Sequence, residues 1–185
     1  TDAVLDDDLH GLQVDWIDEM GTTRSVDYVV PSNNQCIQCH TLGNEIVPIG
    51  PKARALNFNH EGQNILQFFK ESELLIGAPD ISQIPVLPDW SDETLSLEER
   101  SRAYLDMNCA HCHQPGGSYN ASFGDNFQFT YETAFEDSNI YDERVQIKDR
   151  MNTQISGYFM PLIGTSLKHD EGITLINAYM DSLDE

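Results

Sequence analysis

The feature that most constrains this chain is a five-residue cysteine–histidine pattern that occurs twice. Residues 36–40 read C-I-Q-C-H and residues 109–113 read C-A-H-C-H, and together they use all four cysteines. Two thiols at this spacing can add across the two vinyl groups of one haem, and the histidine that follows then lies under the iron. The sequence therefore predicts two covalently attached c-type haems. The predicted thioether residues are Cys36, Cys39, Cys109 and Cys112.

Four cysteines at this spacing also permit different chemistry. They could form two disulfides, a redox dithiol or a zinc site built from both pairs. The disulfide interpretation gives no reason for a histidine directly after each second cysteine. A four-thiolate zinc cage leaves both histidines without a role. Haem attachment accounts for the cysteines and the histidines together.

Position within each motif predicts the proximal iron ligands, His40 and His113. For the second haem the predicted sixth ligand is Met160, because its soft thioether sulfur suits Fe(II) and raises the reduction potential relative to a second histidine. Met160 lies far enough beyond His113 for the chain to pass around the haem. The competing interpretation is that Met160 only fills a gap in the core. Met151 is the rival ligand in this part of the chain, and it is expected to pack against the core.

The sixth ligand of the first haem stays open. No methionine lies between His40 and Met107, so His60 is the first plausible donor downstream. It would give bis-histidine coordination and a lower potential than that of the second haem. A surface position for His60 is the competing interpretation. Met20, Met107 or Lys52 could bind the iron instead, or the sixth position could be open or filled by water.

Several charged and titratable side chains are expected outside the iron coordination. Lys52 and Arg54 are predicted to pair with a haem propionate. His10, His111 and His169 are predicted at the surface, and the side chain of His111 is expected to point away from the iron.

Negative charge restricts the partners of this chain. It carries 31 acidic and 10 basic residues, a formal charge of −21 at pH 7. Such a surface repels nucleic acid and anionic membranes and would steer a partner with a basic docking surface. The competing explanation is that the charge only keeps the protein soluble. It would then be spread over the solvated surface, and the aspartates at 6–8 would be part of that surface.

Localisation follows from the predicted cofactor. No apolar run is long enough to span a bilayer, and the chain shows no signal peptide. Covalent haem attachment takes place outside the cytoplasm. The expected place is therefore bacterial periplasmic or extracellular, with a leader already removed or with the chain cut from a longer secreted protein.

Composition divides the chain into three predicted parts. Residues 1–30 are an acidic lead-in, where alternating apolar residues over 12–17 and 26–30 predict a β-hairpin. Residues 31–90 form a first, reduced haem unit, and residues 91–185 form a second, more regular one. The predicted fold class is mainly α.

Helix-end signals and apolar periodicity predict the helices. Ser96 and Glu99 form a capping box ahead of a helix that runs into Cys109. Residues 78–89 are predicted to be an extended linker packed on the surface, and residues 118–140 to be mostly loop. Further helices are predicted over 52–56, 64–76, 141–151 and 171–183, the last capped by Asp170.

The order of features in residues 95–185 resembles that of class I cytochromes c: helix, C-x-x-C-H, loops, Met-Pro, helix. In that family the first and last helices cross beside the haem, and the Met-Pro loop supplies the sixth ligand, which corresponds to Met160. The first unit resembles the family only around its haem motif and the helix after it. The resemblance implies two cytochrome c-like units in tandem.

Three stretches suggest a narrower family. Residues 28–36 (YVVPSNNQC), 48–57 (PIGPKARALN) and 102–117 (RAYLDMNCAHCHQPGG) resemble bacterial secreted proteins with a dihaem region, often at the end of a larger chain. Relatives in that family carry carbohydrate-related modules or domains similar to quinoprotein sugar dehydrogenases. The resemblance implies electron transfer outside the cytoplasm and no particular partner.

Electron transfer, rather than catalysis, is the predicted function. The two haems would connect a donor, such as a redox protein or an attached oxidoreductase domain, with an acceptor. A second hypothesis is a haem enzyme such as a peroxidase, with an open site at the first haem and Glu45 or Glu61 as an acid–base group. A redox or gas sensor is a third hypothesis.

Overall fold

The chain is mainly α-helical, as the sequence predicts. The computed structural model describes residues 11–18, 20–123 and 127–184, with 121–123 described by their backbone, so the predictions at residues 6–8 and His10 lie outside it. The helices are α1 Asn33–Cys39, α2 Ala53–Leu56, α3 Ile65–Glu71, α4 Leu97–Asn108, α5 Ser118–Phe123, α6 Ile140–Asn152 and α7 Asp170–Ser182. The strands, paired as three antiparallel hairpins, are β1 Leu12–Ile17, β2 Thr23–Tyr28, β3 Thr41–Leu42, β4 Glu45–Ile46, β5 Asn59–His60 and β6 Gln63–Asn64. Within these ranges no helix has the length and apolar character needed to cross a membrane.

The predicted N-terminal hairpin is confirmed. β1 and β2 pair in register, with Leu12 opposite Tyr28. β2 begins at Thr23, earlier than predicted, because the side chain of Asp18 stabilises the turn between the two strands. Its carboxylate accepts hydrogen bonds from the backbone N–H of Thr22 and from Nε of Arg24, both at 2.8 Å. These bonds, that of Thr22 first, hold the pKa of Asp18 below its ordinary value.

The main core forms where α4 packs against α7. Gly172 of α7 permits a close approach, because a Cβ there would lie 2.2 Å from the ring of Tyr104 in α4. α6 packs against α7 and contributes Met151, which is buried in the core as predicted. The buried core residues are Tyr104, Leu105, Ala110, Phe129, Ile140, Ile147, Met151, Leu175, Ile176, Tyr179 and Met180.

The starts of α4 and α7 are determined differently. At α4 the capping box is present: Oγ of Ser96 accepts the N–H of Glu99 at 3.2 Å, and Oε2 of Glu99 accepts the N–H of Ser96 at 3.0 Å. The predicted cap at Asp170 is wrong, since Asp170 is already helical and His169 precedes it. The His169 ring lies 3.0 Å from the hydroxyl of Tyr104, so a tertiary contact holds the residue before α7.

Ser96→Ala is expected to lower the free energy of unfolding by about 1 kcal/mol, because the N–H of Glu99 loses its acceptor. Hydrogen bonds from Ser96 hold the pKa of Glu99 below 4.5. The ionised cap therefore contributes fully above pH 4.5 and is lost as pH falls through that lowered pKa. Urea unfolding at several pH values measures both effects. Glu98→Gln, one residue away in the same turn, is the control and should leave the cap intact.

Two predicted boundaries need correction. The helix predicted over 64–76 ends at Glu71, because Glu73 adopts a left-handed conformation with φ of +59°. The segment predicted as mostly loop before α6 contains α5. The segment predicted as an extended linker, 78–89, does pack on the preceding part of the chain, where the N–H of Leu87 donates to the carbonyl of Arg54 at 3.0 Å, but Ile81–Gln83 form a 3₁₀ turn within it.

Candidate functional site

A mostly apolar cavity of about 350 Å³ is lined by the end of α4, the second cysteine motif, α6 and the segment that begins at Met160. Cofactor pockets typically enclose about 300–1,000 Å³ and have apolar walls with a few polar groups. The cavity brings together the four residues that the sequence assigns to one haem. They are Cys109, Cys112, His113 and Met160.

The second motif forms a tight turn at the C-terminal end of α4. The N–H groups of Cys112 and His113 both donate to the carbonyl of Cys109, at 3.2 and 3.1 Å. Gly117 lies directly against this turn, because a Cβ there would be 2.4 Å from the carbonyl oxygen of Cys112. Local hydrogen bonding and a required glycine therefore hold the turn whose side chains line the cavity.

His113 is enclosed by aromatic rings. The ring centroids of Tyr119, Phe127 and Phe129 lie 4.5, 5.1 and 5.1 Å from that of His113, which is 8% exposed. Burial lowers its pKa to about 4, so the imidazole is neutral at neutral pH, the form that binds metal. Among the described residues, its buried Nδ1 has no hydrogen-bond partner.

Met160 is anchored beside the end of α6. Its backbone N–H donates to the carbonyl of Arg150 at 2.9 Å, and its half-buried side chain lines the cavity. Met151, from the last turn of α6, also lines the cavity but is buried in the core. Both methionines therefore reach the same space, and only Met160 is free of the core cluster.

The first motif lies on α1. A capping box between Ser32 and Gln35 begins this helix, and His40 follows its last residue. Nδ1 of His40 lies 3.0 Å from the carbonyl of Val47, and the backbone N–H of Ile49 is directed at the same nitrogen from 3.3 Å. The first contact requires a proton on Nδ1 and the second requires its lone pair. The shorter contact, to Val47, favours the tautomer protonated on Nδ1, which leaves the lone pair of Nε2 for a metal.

The two motifs meet in space. A ligand atom each of Cys39, His111 and Cys112 all lie within 4.8 Å of one another. The prediction of a surface position is therefore wrong for His111, which is half-buried because the first motif covers it, and burial lowers its pKa. Burial, followed by the neighbouring Cys112, raises the pKa of Cys39 to about 11.

The remaining predicted ligands lie apart from this cavity. His60 is exposed on β5, Met20 is 90% exposed beyond β1, and Met107 is 46% exposed on α4. None of them, nor Lys52, is among the described residues that line the cavity. The structure therefore does not select a sixth ligand for an iron bound by His40. The surface prediction for His169 is confirmed.

Asp106 is a central residue that the motifs in the sequence do not indicate. Its side chain is fully buried on α4 and accepts hydrogen bonds from Nζ of Lys52 at 2.7 Å and from the backbone N–H of Tyr131 at 3.0 Å. Arg54 also pairs with it, and with Glu132. Lys52 and Arg54 thus bind a protein carboxylate, whereas the sequence predicts a propionate as their partner. An aspartate inside the apolar part of α4 is the signal that could have pointed to it.

The donor set fits a covalently attached haem at the second motif. The chain offers two cysteines at the attachment spacing, a neutral histidine in an aromatic enclosure and a methionine, all lining one apolar cavity. Comparisons with protein-family models, curated proteins and solved structures find no match for this chain.

Proposed function

We infer that this chain is a dihaem c-type cytochrome that transfers electrons in the periplasm or outside the cell. The observation that carries this inference is the shared cavity of Cys109, Cys112, His113 and Met160. The sequence assigns these residues to one haem by motif and spacing. Cys109, Cys112 and His113 belong to one motif, so the independent observation is that Met160, far along the chain, lines the same cavity.

The cofactor, when bound, supplies an iron that cycles between Fe(II) and Fe(III) by one electron. The residues of the chain hold and enclose it. Cys109 and Cys112 would hold it through thioether bonds, and neutral His113 and Met160 would bind the iron. At the first motif, Cys36 and Cys39 are the proposed attachment residues and His40 the proximal ligand. Its sixth ligand, His60 among the candidates, stays a prediction.

The class I architecture is part of this proposal for residues 91–185. Its support is the packing of α4 against α7, two helices that lie at the start and the end of this part of the chain, on either side of the cavity-lining segments in sequence. Gly172 lets the two helices touch at Tyr104. Residues 31–90 are proposed as the reduced unit, with the first motif and α3 as its recognisable parts.

The surface charge supports a basic redox partner. A formal charge of −21 would attract such a partner and raise its association rate at low salt. A donor could be a separate protein or an oxidoreductase domain in the same polypeptide. Exchange rates that fall steeply with ionic strength are the expected sign of this steering.

Absorption spectra of the oxidised and reduced protein, with and without carbon monoxide, test the proposal. We expect two c-type haems per chain by pyridine haemochrome assay and no carbon monoxide adduct at the second haem. Cys36→Ala with Cys39→Ala should remove one haem, and Cys109→Ala with Cys112→Ala the other. Peroxide turnover well above that of free haem would favour the haem enzyme, and a chain without covalent haem would refute the proposal.

A zinc site is the second candidate, and one observation favours it. Cys39, His111 and Cys112 present two thiols and an imidazole within 4.8 Å, a donor set that suits Zn²⁺. This site would use one cysteine of each pair and would leave His40 and His113 without a role. Metal analysis of the purified protein separates the candidates, since stoichiometric zinc and absent Soret absorption would select zinc.

Met160→Ala is expected to open the sixth position of the second haem. Its ferrous form should then bind carbon monoxide, its thioether–iron absorption band should vanish and its midpoint potential should fall. Met151→Leu is the matched control, because it changes the second methionine of the cavity at a cost under about 1.5 kcal/mol. If the band is lost in the Met151 variant and kept in the Met160→Ala variant, the sixth ligand is Met151.

A further inference from the structure

The two cysteine motifs touch through their second cysteines. Sγ of Cys39, Sγ of Cys112 and a ring nitrogen of His111 lie within 4.8 Å of one another. Cys39 also lines the cavity that contains Cys112 and His113. Because each thioether bond joins a haem edge directly to its sulfur, sulfurs this close bring two attached haem edges side by side.

Backbone contacts beside the motifs support the same juxtaposition. The N–H of Gly43, just after the first motif, donates to the carbonyl of Gly116, just after the second, at 2.7 Å. Leu42 forms an isolated β-bridge with Gly117. The chain segments that leave the two motifs are therefore bonded to each other independently of any side chain.

A buried ion cluster adds a further contact between the segments that carry the two motifs. Asp106 precedes Cys109 by one turn of α4, and its side chain is fully buried. Its carboxylate accepts from Lys52 at 2.7 Å and from Nε of Arg54 at 3.3 Å, and both cations belong to the first unit. A buried carboxylate is costly unless it is paired, so removing its charge releases the cations that hold the units together.

We propose that the two haem-attachment motifs meet at Cys39 and Cys112 so that the two haems are held as edge-to-edge neighbours, and that Asp106 is the positioning residue for this contact. This inference rests on the proposed function. In this arrangement Lys52 and Arg54 hold the two motifs at a fixed separation by pairing with Asp106. It also makes His111 the side chain between the two attachment points.

Electron paramagnetic resonance of the fully oxidised holoprotein tests the proposal. Two ferric haems at short distance should broaden each other's signals. The one-haem variant Cys36→Ala with Cys39→Ala should give a narrower signal for the haem at His113 and a shifted midpoint potential. Asp106→Asn should keep both haems but lose the broadening. Asp184→Asn, which disrupts the exposed pair with Arg144, is the matched control and should retain it.

The outcomes separate this inference from the function beneath it. Absence of covalent haem would refute both. Two attached haems whose signals equal those of isolated haems would overturn the juxtaposition alone. Unchanged broadening in Asp106→Asn would overturn the positioning role. If Asp106→Asn does not fold, Lys52→Gln is the second variant, because it removes one of the two cations that pair with Asp106 and this cation is 30% exposed. The Lys52 variant should weaken the broadening. Unchanged broadening in it would contradict the positioning role of Asp106.

Discussion

Asp106→Ala is expected to lower the free energy of unfolding by about 3 kcal/mol, the low end of the cost of breaking a buried ion pair. The fully buried carboxylate neutralises Arg54, which is 13% exposed, and Lys52. Alanine would also leave the N–H of Tyr131 without its acceptor. Chemical denaturation measures the loss. The expected loss of unfolding free energy lies at the lower end of that range because Lys52 is partly exposed, so water can solvate its ammonium group.

A surface ion pair provides the contrast. Lys148 and Asp181 pair on α6 and α7 with side chains 36% and 63% exposed. Asp181→Ala is therefore expected to cost well under about 1 kcal/mol. Equal losses in the two variants would contradict the claim that Asp106 owes its effect to burial.

Gly117→Ala is expected to cost about 2 kcal/mol and to disturb the second cysteine motif. The added Cβ would lie 2.4 Å from the carbonyl oxygen of Cys112 and 2.9 Å from its carbonyl carbon. Backbone cannot move aside as a flexible side chain can, so the turn itself must shift. Thermal unfolding reports the loss of stability, and the visible spectrum of the loaded protein reports any change at the iron.

Gly50→Ala is the matched control for that change. A Cβ at Gly50 meets no atom within 4 Å, and its φ lies outside the positive range. Alanine there should leave stability unchanged or raise it by a few tenths of a kcal/mol through the unfolded state. A Gly117 variant as stable as the Gly50 variant would show that the second motif tolerates a wider turn.

Local chemistry explains what could be predicted from sequence. The capping box at Ser96 and the run of α4 into Cys109 depend on residues a few positions apart, and both are confirmed. The early end of α3 could not be predicted, because a single left-handed residue, Glu73, ends the helix within an otherwise helical pattern. Such a conformation in a non-glycine residue has no reliable sequence signal.

Long-range packing explains what could not be predicted. The surface interpretation of His111 follows from its variable place in the motif and fails because Cys39 lies against it. The partner of Lys52 and Arg54 lies more than fifty positions further along the chain. No periodicity connects positions so far apart, so their pairing emerges only in the folded chain.

The two motif histidines differ in what restrains their rings. Nδ1 of His40 lies 3.0 Å from the carbonyl of Val47, whereas the buried Nδ1 of His113 has no partner among the described residues. A ring that donates to a carbonyl is the more basic ligand and stabilises Fe(III). In the proposed cytochrome this asymmetry would lower the midpoint potential of the iron at His40 relative to that at His113, so that a single electron shared by the two irons would reside mainly at His113.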